Sequence, residues 1–174
     1  MPHAVTHVLI AIIVADTIRD YLVKNKRKIP LYLILIAGIA GLLPDIDIIV
    51  YWLLRIISLV EISEVHRTFT HTLFFPAIFL AIGFLTYKMK RIAKYKISIS
   101  DIAFFTALGV GIHLLLDFLL SGWIRPLYPL STYMVGLNII PLDLATTVIP
   151  GMDAILLVIW LVHEYRHHRI KDFI

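Results

Sequence analysis

Five mostly apolar segments fill this chain, over residues 4–23, 30–57, 72–87, 102–120 and 144–163. A helix that crosses the hydrocarbon core of a bilayer needs about 20 such residues. The sequence therefore reads as an all-α protein: a polytopic transmembrane bundle of about five helices, forming a single integral membrane domain over residues 1–174. Composition agrees, since 60% of the 174 residues are hydrophobic and 16% are charged, against about 45–50% and about 25% in soluble domains. A chain this short has room for one ordinary domain, so the surplus apolar surface is expected to face lipid. The second segment is long enough to tilt, or to kink at Pro44. The first is the least apolar; it and the fifth also fit partly buried or interfacial helices. Asp16 and Arg19 inside the first segment, with no basic stretch before it, set it apart from a cleavable signal peptide. Residues 121–150 hold Pro126, Pro129, Pro141 and Pro150 and read as a loop or re-entrant region, and the fifth segment can begin as early as Leu144.

Basic residues sort by connection. Lys24, Lys26, Arg27 and Lys28 follow the first segment, and Lys88, Lys90, Arg91, Lys94 and Lys96 follow the third. Arg166, Arg169 and Lys171 follow the fifth, whereas the remaining connections carry only Arg55, Arg67 and Arg125. Positive residues favour the cytoplasmic side. All three basic blocks fall on one side, which predicts an N-out, C-in protein of a prokaryotic cytoplasmic membrane. The net charge of +4 is small, and its placement fits topology and headgroup contact before nucleic-acid binding.

Ionisable residues inside apolar segments are expensive and mark function by default. His3 and His7 stand four apart at a helical start, and Asp45 and Asp47 follow Pro44, where a break could turn both carboxylates to one point. His66 and His71 precede the third segment, and His113 and Asp117 share one face of the fourth. Each has a bland reading. His3 belongs to a terminus that frays. Asp45 can cap the helix after the proline. His113 and Asp117 can form a hydrogen-bonded pair between helices. His163, His167 and His168 sit in a basic tail and read as a solvated or headgroup-contacting face.

The bland readings weaken in combination. The topology set by Lys and Arg puts His7, Asp45, Asp47, His66, His71, His113 and Asp117 on the outer side at similar depth. There is no cysteine, so any metal must be held by imidazole and carboxylate. Four imidazoles and three carboxylates exceed one tetrahedral zinc site. They suit two divalent ions, zinc favoured and manganese possible, with carboxylate bridging. Such a centre supports hydrolysis of a phosphate ester. Arg67 can stabilise phosphoryl charge, or can pair with a headgroup or a carboxylate. Asp45 joins Arg67 as a catalytic candidate, while Glu61 and Glu64 read as solvated loop residues.

The motifs Leu-Leu-Pro-Asp45-Ile-Asp47, His66-Arg67-Thr-Phe-Thr-His71 and His113-Leu-Leu-Leu-Asp117, preceded by Thr6-His7, resemble those of the YdjM-like family of membrane-bound metal-dependent hydrolases. The resemblance runs from about residue 2 to residue 129. That family is distantly similar to zinc-dependent phospholipase C and to the single-strand-specific zinc nucleases, which are helical and cut phosphodiesters with a metal cluster. The chain departs from the family pattern at Thr68, where glycine is usual, and at Thr72, where serine is usual. Leu120-Ser121 replaces a Thr-Pro pair, while Gly122 and Pro129 keep the later pattern. The ligand positions are all kept, so these departures bear on substrate shape.

The resemblance implies a hydrolase. The preferred expectation is a membrane-embedded metal-dependent enzyme cleaving a phosphoester of a phospholipid or lipid-linked substrate at the outer face. Membrane lipids and that phosphoester are then its partners, and no nucleic acid is expected. The alternative is a transition-metal transporter or metal-binding membrane protein, since His and Asp in spans also mark ion pathways. A transporter should place polar residues in both halves of the membrane, whereas these concentrate in the outer half. A non-catalytic scaffold leaves the convergence unexplained. The topology is checked by Lys26→Cys, the sole cysteine of the variant: an impermeant reagent outside intact cells should fail to label it, and ready labelling inverts the orientation.

Overall fold

The computed structural model describes residues 4–24, 29–59, 61–89, 98–120 and 122–167. His3, His168, Lys26, Arg27, Lys28, Lys90, Arg91, Lys94, Lys96, Arg169 and Lys171 lie outside the described residues, as does the Glu64 side chain. The expectation of an all-α protein holds: no strand forms among the described residues, and an isolated bridge pairs Ile124 with Val135.

Helix α1 spans Ala4–Thr17 and continues as one wider π turn over Ile18–Leu22. The second apolar segment is not one helix. It forms α2, Leu31–Ala40, and α3, Ile46–Ile57, separated by a turn that holds Pro44. The expected kink is therefore a full break. Proline lacks an amide proton and clashes with the preceding turn, and Gly41 lets the His7 carbonyl of α1 come close, since a Cβ there would lie 3.0 Å from its oxygen. A short α4, Ile62–Val65, precedes the His66–His71 stretch. Then come α5, Phe74–Thr86, α6, Ile99–Leu119, and α7, Leu142–His167. The region expected to be a loop up to Pro150 is helical from Leu142, with Pro150 inside the helix.

Length decides which helices can span. Among the described residues α6 and α7 are long and apolar enough to cross a membrane. Helices α2 and α5, with 10 and 13 residues, rise only about 15–20 Å at 1.5 Å per residue, short of a core about 30 Å thick. The break at Pro44 is the reason for α2. Large apolar side chains lie exposed along α3, α5 and α7, including Trp52, Ile56, Phe84, Leu85, Ile155 and Val158. In a membrane protein this is lipid-facing surface.

Helix α6 is the centre of the bundle and packs against α1, α2 and α5; α7 packs on α1. Small residues set the closest approach. A Cβ at Gly109 of α6 would stand 2.1 Å from the Ala37 carbonyl oxygen of α2. The two backbones therefore touch where only glycine fits, as is usual for helices packed within lipid. Ile12, Ala15, Leu31, Ile34 and Ala37 form one apolar core; Ala11, Ile112 and Leu116 form another. Residues 122–141 fold back over the end of α6. The amides of Leu137, Ile139 and Ile140 donate to the Phe118, Leu119 and Leu120 carbonyls at 2.7, 2.9 and 2.9 Å, satisfying groups that a helix terminus leaves open.

Gly109→Ala should lower stability by about 1–3 kcal/mol through overpacking, read as a lower Tm in detergent. Gly111→Ala, whose Cβ meets nothing within 4 Å, should leave Tm within a degree or two of the wild type.

Candidate metal centre

Each expected ligand arrives at one end of the bundle on a different piece of backbone. His7 lies in the first turns of α1, and His113 and Asp117 lie in the last turns of α6. Asp45 and Asp47 come from the break between α2 and α3, and His66 and His71 from the turns between α4 and α5. The structure brings all seven together with Arg67. His7, His71, His113 and Asp117 are buried at 1% exposure or less, and Asp45 keeps 24% of its side chain exposed.

Four donor atoms form the heart of the cluster. His71 Nε2 and His113 Nε2 face each other at 3.2 Å. Asp45 Oδ1 lies 3.6 Å from each of them, and Asp117 Oδ2 lies 3.6 and 3.8 Å away. Four donors held about 2.0–2.2 Å from one ion in a tetrahedron stand about 3.3–3.6 Å apart. Five of the six separations in this quartet thus lie near those of donors around one divalent ion. Asp45 Oδ1 and Asp117 Oδ2 are both buried and accept no hydrogen bond among the described residues. Buried carboxylate oxygens need a compensating charge or donor. Arg67 Nη2, 3.2 Å from Asp117 Oδ2, supplies part of it. Asp45 also groups with His66 and His71, and with His7 and His113. It is the carboxylate shared across the cluster.

The imidazoles are oriented from behind. His113 Nδ1 lies 2.7 Å from the Gly41 carbonyl oxygen; a carbonyl only accepts, so the proton sits on Nδ1 and Nε2 offers its lone pair to the quartet. Asp47 does the same for two more rings. Its Oδ1 meets His66 Nδ1 at 2.7 Å, and its Oδ2 meets His71 Nδ1 at 3.2 Å. Asp47 Oδ2 also accepts from the Thr70 hydroxyl at 2.8 Å and the Arg67 amide at 3.0 Å. The sequence groups Asp47 with the ligands, but both its oxygens are committed to donors. It is built to aim His66 and His71. Burial alone pulls the His71 pKa down; the carboxylates of Asp45 and Asp47 outweigh it and raise the pKa above the usual histidine value. His7 stacks on His113, with ring centroids 3.8 Å apart, and its Nε2 lies 3.7 Å from Asp117 Oδ1.

Arg67 is held in a strained backbone state. Its φ of 63° is the left-handed region that non-glycine residues rarely enter. That conformation delivers its amide to Asp47. Its guanidinium donates to the Trp123 carbonyl at 3.3 Å. A Cβ at Gly122 would lie 2.6 Å from Arg67 Nη2, so the glycine clears the space that the guanidinium fills.

The structure also places polar residues that the sequence reading leaves aside. Asp16, Asp20, His163, Glu164 and His167 meet at the other end of α1, where His163 Nε2 lies 3.3 Å from Asp20 Oδ2. His163 is thus not on a purely solvated face. The available signal was two four-residue spacings, Asp16–Asp20 inside the first apolar segment and His163–His167 at the end of the fifth. Only the contact of α7 with α1 joins them.

Asp47→Asn keeps the shape of the side chain and removes its charge. For a divalent ion held by His71 and His113, the substitution should weaken binding about 10- to 100-fold, measured by competition with a chromophoric chelator.

No curated protein and no solved structure matches this chain. The model of the family described as YdjM inner membrane protein matches residues 1–169. With its membrane-length apolar helices and with the cluster gathered from four separate backbone pieces, the chain is a membrane protein and belongs to the YdjM family.

Proposed function

We propose that this protein is a membrane-embedded, metal-dependent hydrolase that cleaves a phosphoester of a phospholipid or lipid-linked substrate. The observation that carries this reading is the quartet of His71, His113, Asp45 and Asp117, in which five of the six donor separations, 3.2–3.8 Å, suit one ion. These four would hold the first ion, zinc by preference with manganese as the alternative. His66, sharing Asp45, would hold a second. When bound, such ions supply a water that is nucleophilic near neutral pH and polarise a phosphoryl oxygen.

The protein's own groups do the rest. The Gly41 carbonyl and Asp47 hold the Nδ1 edges of His113, His71 and His66, which leaves their Nε2 lone pairs for the ions. Arg67, with 17% of its side chain exposed, would present its guanidinium to a phosphoryl oxygen. Asp45 is the most open of the three carboxylates and marks the side reached by substrate and water. The basic-residue pattern supports an N-out, C-in chain with this end toward the extracytoplasmic face, where it meets lipid headgroups. Helices α1, α2 and α5 then sit in the bilayer beside α6 and α7 as the shorter members of a five-segment bundle.

One observation favours a transition-metal transporter: polar residues gather at both ends of α1, not at one end only. Between them the core is apolar, built from Ala11, Ile12, Ala15, Ile34, Ala37 and Ile112. That layer offers no ligands to a passing ion, so hydrolysis is the stronger reading.

The centre formed by His71, His113, Asp45, Asp117 and His66 should retain about two divalent ions per chain, and chelation followed by zinc or manganese should abolish and then restore release of phosphate or headgroup from detergent-dispersed phospholipids and polyprenyl phosphates. His71→Ala and Asp117→Ala should each remove turnover with expression near normal. Arg67→Ala should lower kcat about 100-fold or more, the usual effect of losing one charge-stabilising donor. Trace metal only, or full turnover in the His71 and Asp117 variants, overturns the assignment. Ion uptake into proteoliposomes without hydrolysis would establish the transporter instead.

A further inference from the structure

The far end of α1 carries a second, separate set of metal-ligating side chains. Asp16 and Asp20 stand one turn apart where α1 passes into its π turn, and His163, Glu164 and His167 occupy the last turns of α7. Donor atoms of Asp20, His163 and His167 all lie within 4.8 Å of one another, as do those of Asp16, His163 and Glu164. Two helices therefore each bring an i, i+4 pair to this end of the bundle, in two groups that share His163, the arrangement by which helical bundles build metal sites from facing side chains.

The finer geometry is that of prepared ligands. The two carboxylate oxygens of Asp20 are divided: Oδ1 takes Arg19 Nη1 at 3.0 Å, and Oδ2 faces His163 Nε2 at 3.3 Å. Arg19 is itself fixed, since its Nε donates to the Ile29 carbonyl at 2.9 Å. His167 Nδ1 donates to the His163 carbonyl at 3.2 Å, which leaves Nε2 as its coordinating nitrogen. The two rings stack with centroids 4.5 Å apart. Behind them Asp16 and Glu164 are buried at 1% and 2% exposure.

We propose that Asp20, His163 and His167 hold one divalent transition-metal ion, of the zinc class, that clasps α7 to α1. Two imidazoles and a carboxylate, with no thiolate in the chain, select zinc, cobalt or nickel over magnesium or calcium. Asp16, hydrogen-bonded to Glu164, adds negative charge next to the ion and favours its retention. The need for such a link lies in the packing. Helix α7 rests on α1 and leaves much of its apolar surface exposed, so a bond network that bridges the two helices adds stability that apolar contact there does not. This ion is distinct from the centre at the other end, and it stabilises the fold without entering the hydrolytic reaction.

The test uses full-length protein in detergent carrying His71→Ala and Asp117→Ala, which disables the first centre. After chelation it is titrated with cobalt, read by visible absorption, and with zinc, read by competition. About one ion per chain should still bind, and binding should raise Tm. Adding His163→Gln and His167→Gln should remove that ion. His167→Gln alone, at an exposed position tolerant of change, should weaken binding about tenfold or more. Zinc or cobalt binding that is unchanged by His167→Gln, or no binding in the His71/Asp117 background, overturns the proposal. Neither result depends on whether the first centre hydrolyses anything.

Discussion

A helix that stops inside an apolar segment leaves carbonyls that water cannot reach, and each must find a donor within the protein. At the end of α2 the Gly41 carbonyl finds His113 Nδ1, 2.7 Å away on α6. That one hydrogen bond settles two things. It satisfies the broken helix, and it fixes the tautomer and direction of His113, so that Nε2 faces His71, Asp45 and Asp117. The break and the polar centre depend on each other: a continuous helix would keep the Gly41 carbonyl inside its own ladder and carry Asp45 and Asp47 to different faces.

The close approach of α2 and α6 serves the same end. Because Gly109 lets the backbones touch, the last turns of α6 lie beside the break in α2 rather than a side chain's width away. The segment over residues 122–141 then closes on the α6 terminus through the Leu137, Ile139 and Ile140 amides, and its Trp123 carbonyl holds Arg67. The centre is thus rigid where the backbone supports it and open at Asp45. Rigidity of this kind is what the proposed metal-assisted reaction would require of its ligands.

Helix α1 has polar residues at both ends and apolar ones between. At one end His7 joins the quartet through its stack on His113. At the other, Asp16 and Asp20 meet the end of α7. Buried ionisable groups are retained in apolar surroundings only with compensating partners. At one end His7 faces Asp117, and at the other His163 faces Asp20, so that α1 is held at both ends by side chains and in its middle by packing.

The sequence by itself determined the helical, membrane-borne character of the chain, because sustained apolar composition leaves few other folds for a chain of this length. It also determined which residues converge at the main centre. Lys and Arg placement gave His7, Asp45, Asp47, His66, His71, His113 and Asp117 a common depth, and the four-residue spacing of His113 and Asp117 gave them a common face. Pro44 marked a break in the second segment, but only the structure showed that the segment stops and restarts as two short helices, since hydropathy is blind to where a helix ends inside an apolar run. Nor did the sequence separate Asp45, which faces the quartet, from Asp47, which aims two histidines; two carboxylates two residues apart look alike until backbone direction is known. The cluster of Asp16, Asp20, His163, Glu164 and His167 was decided by tertiary structure alone. Its halves lie some 140 residues apart in the sequence, and only the packing of α7 on α1 makes them neighbours, a contact set by apolar surface that carries no pairing information along the chain.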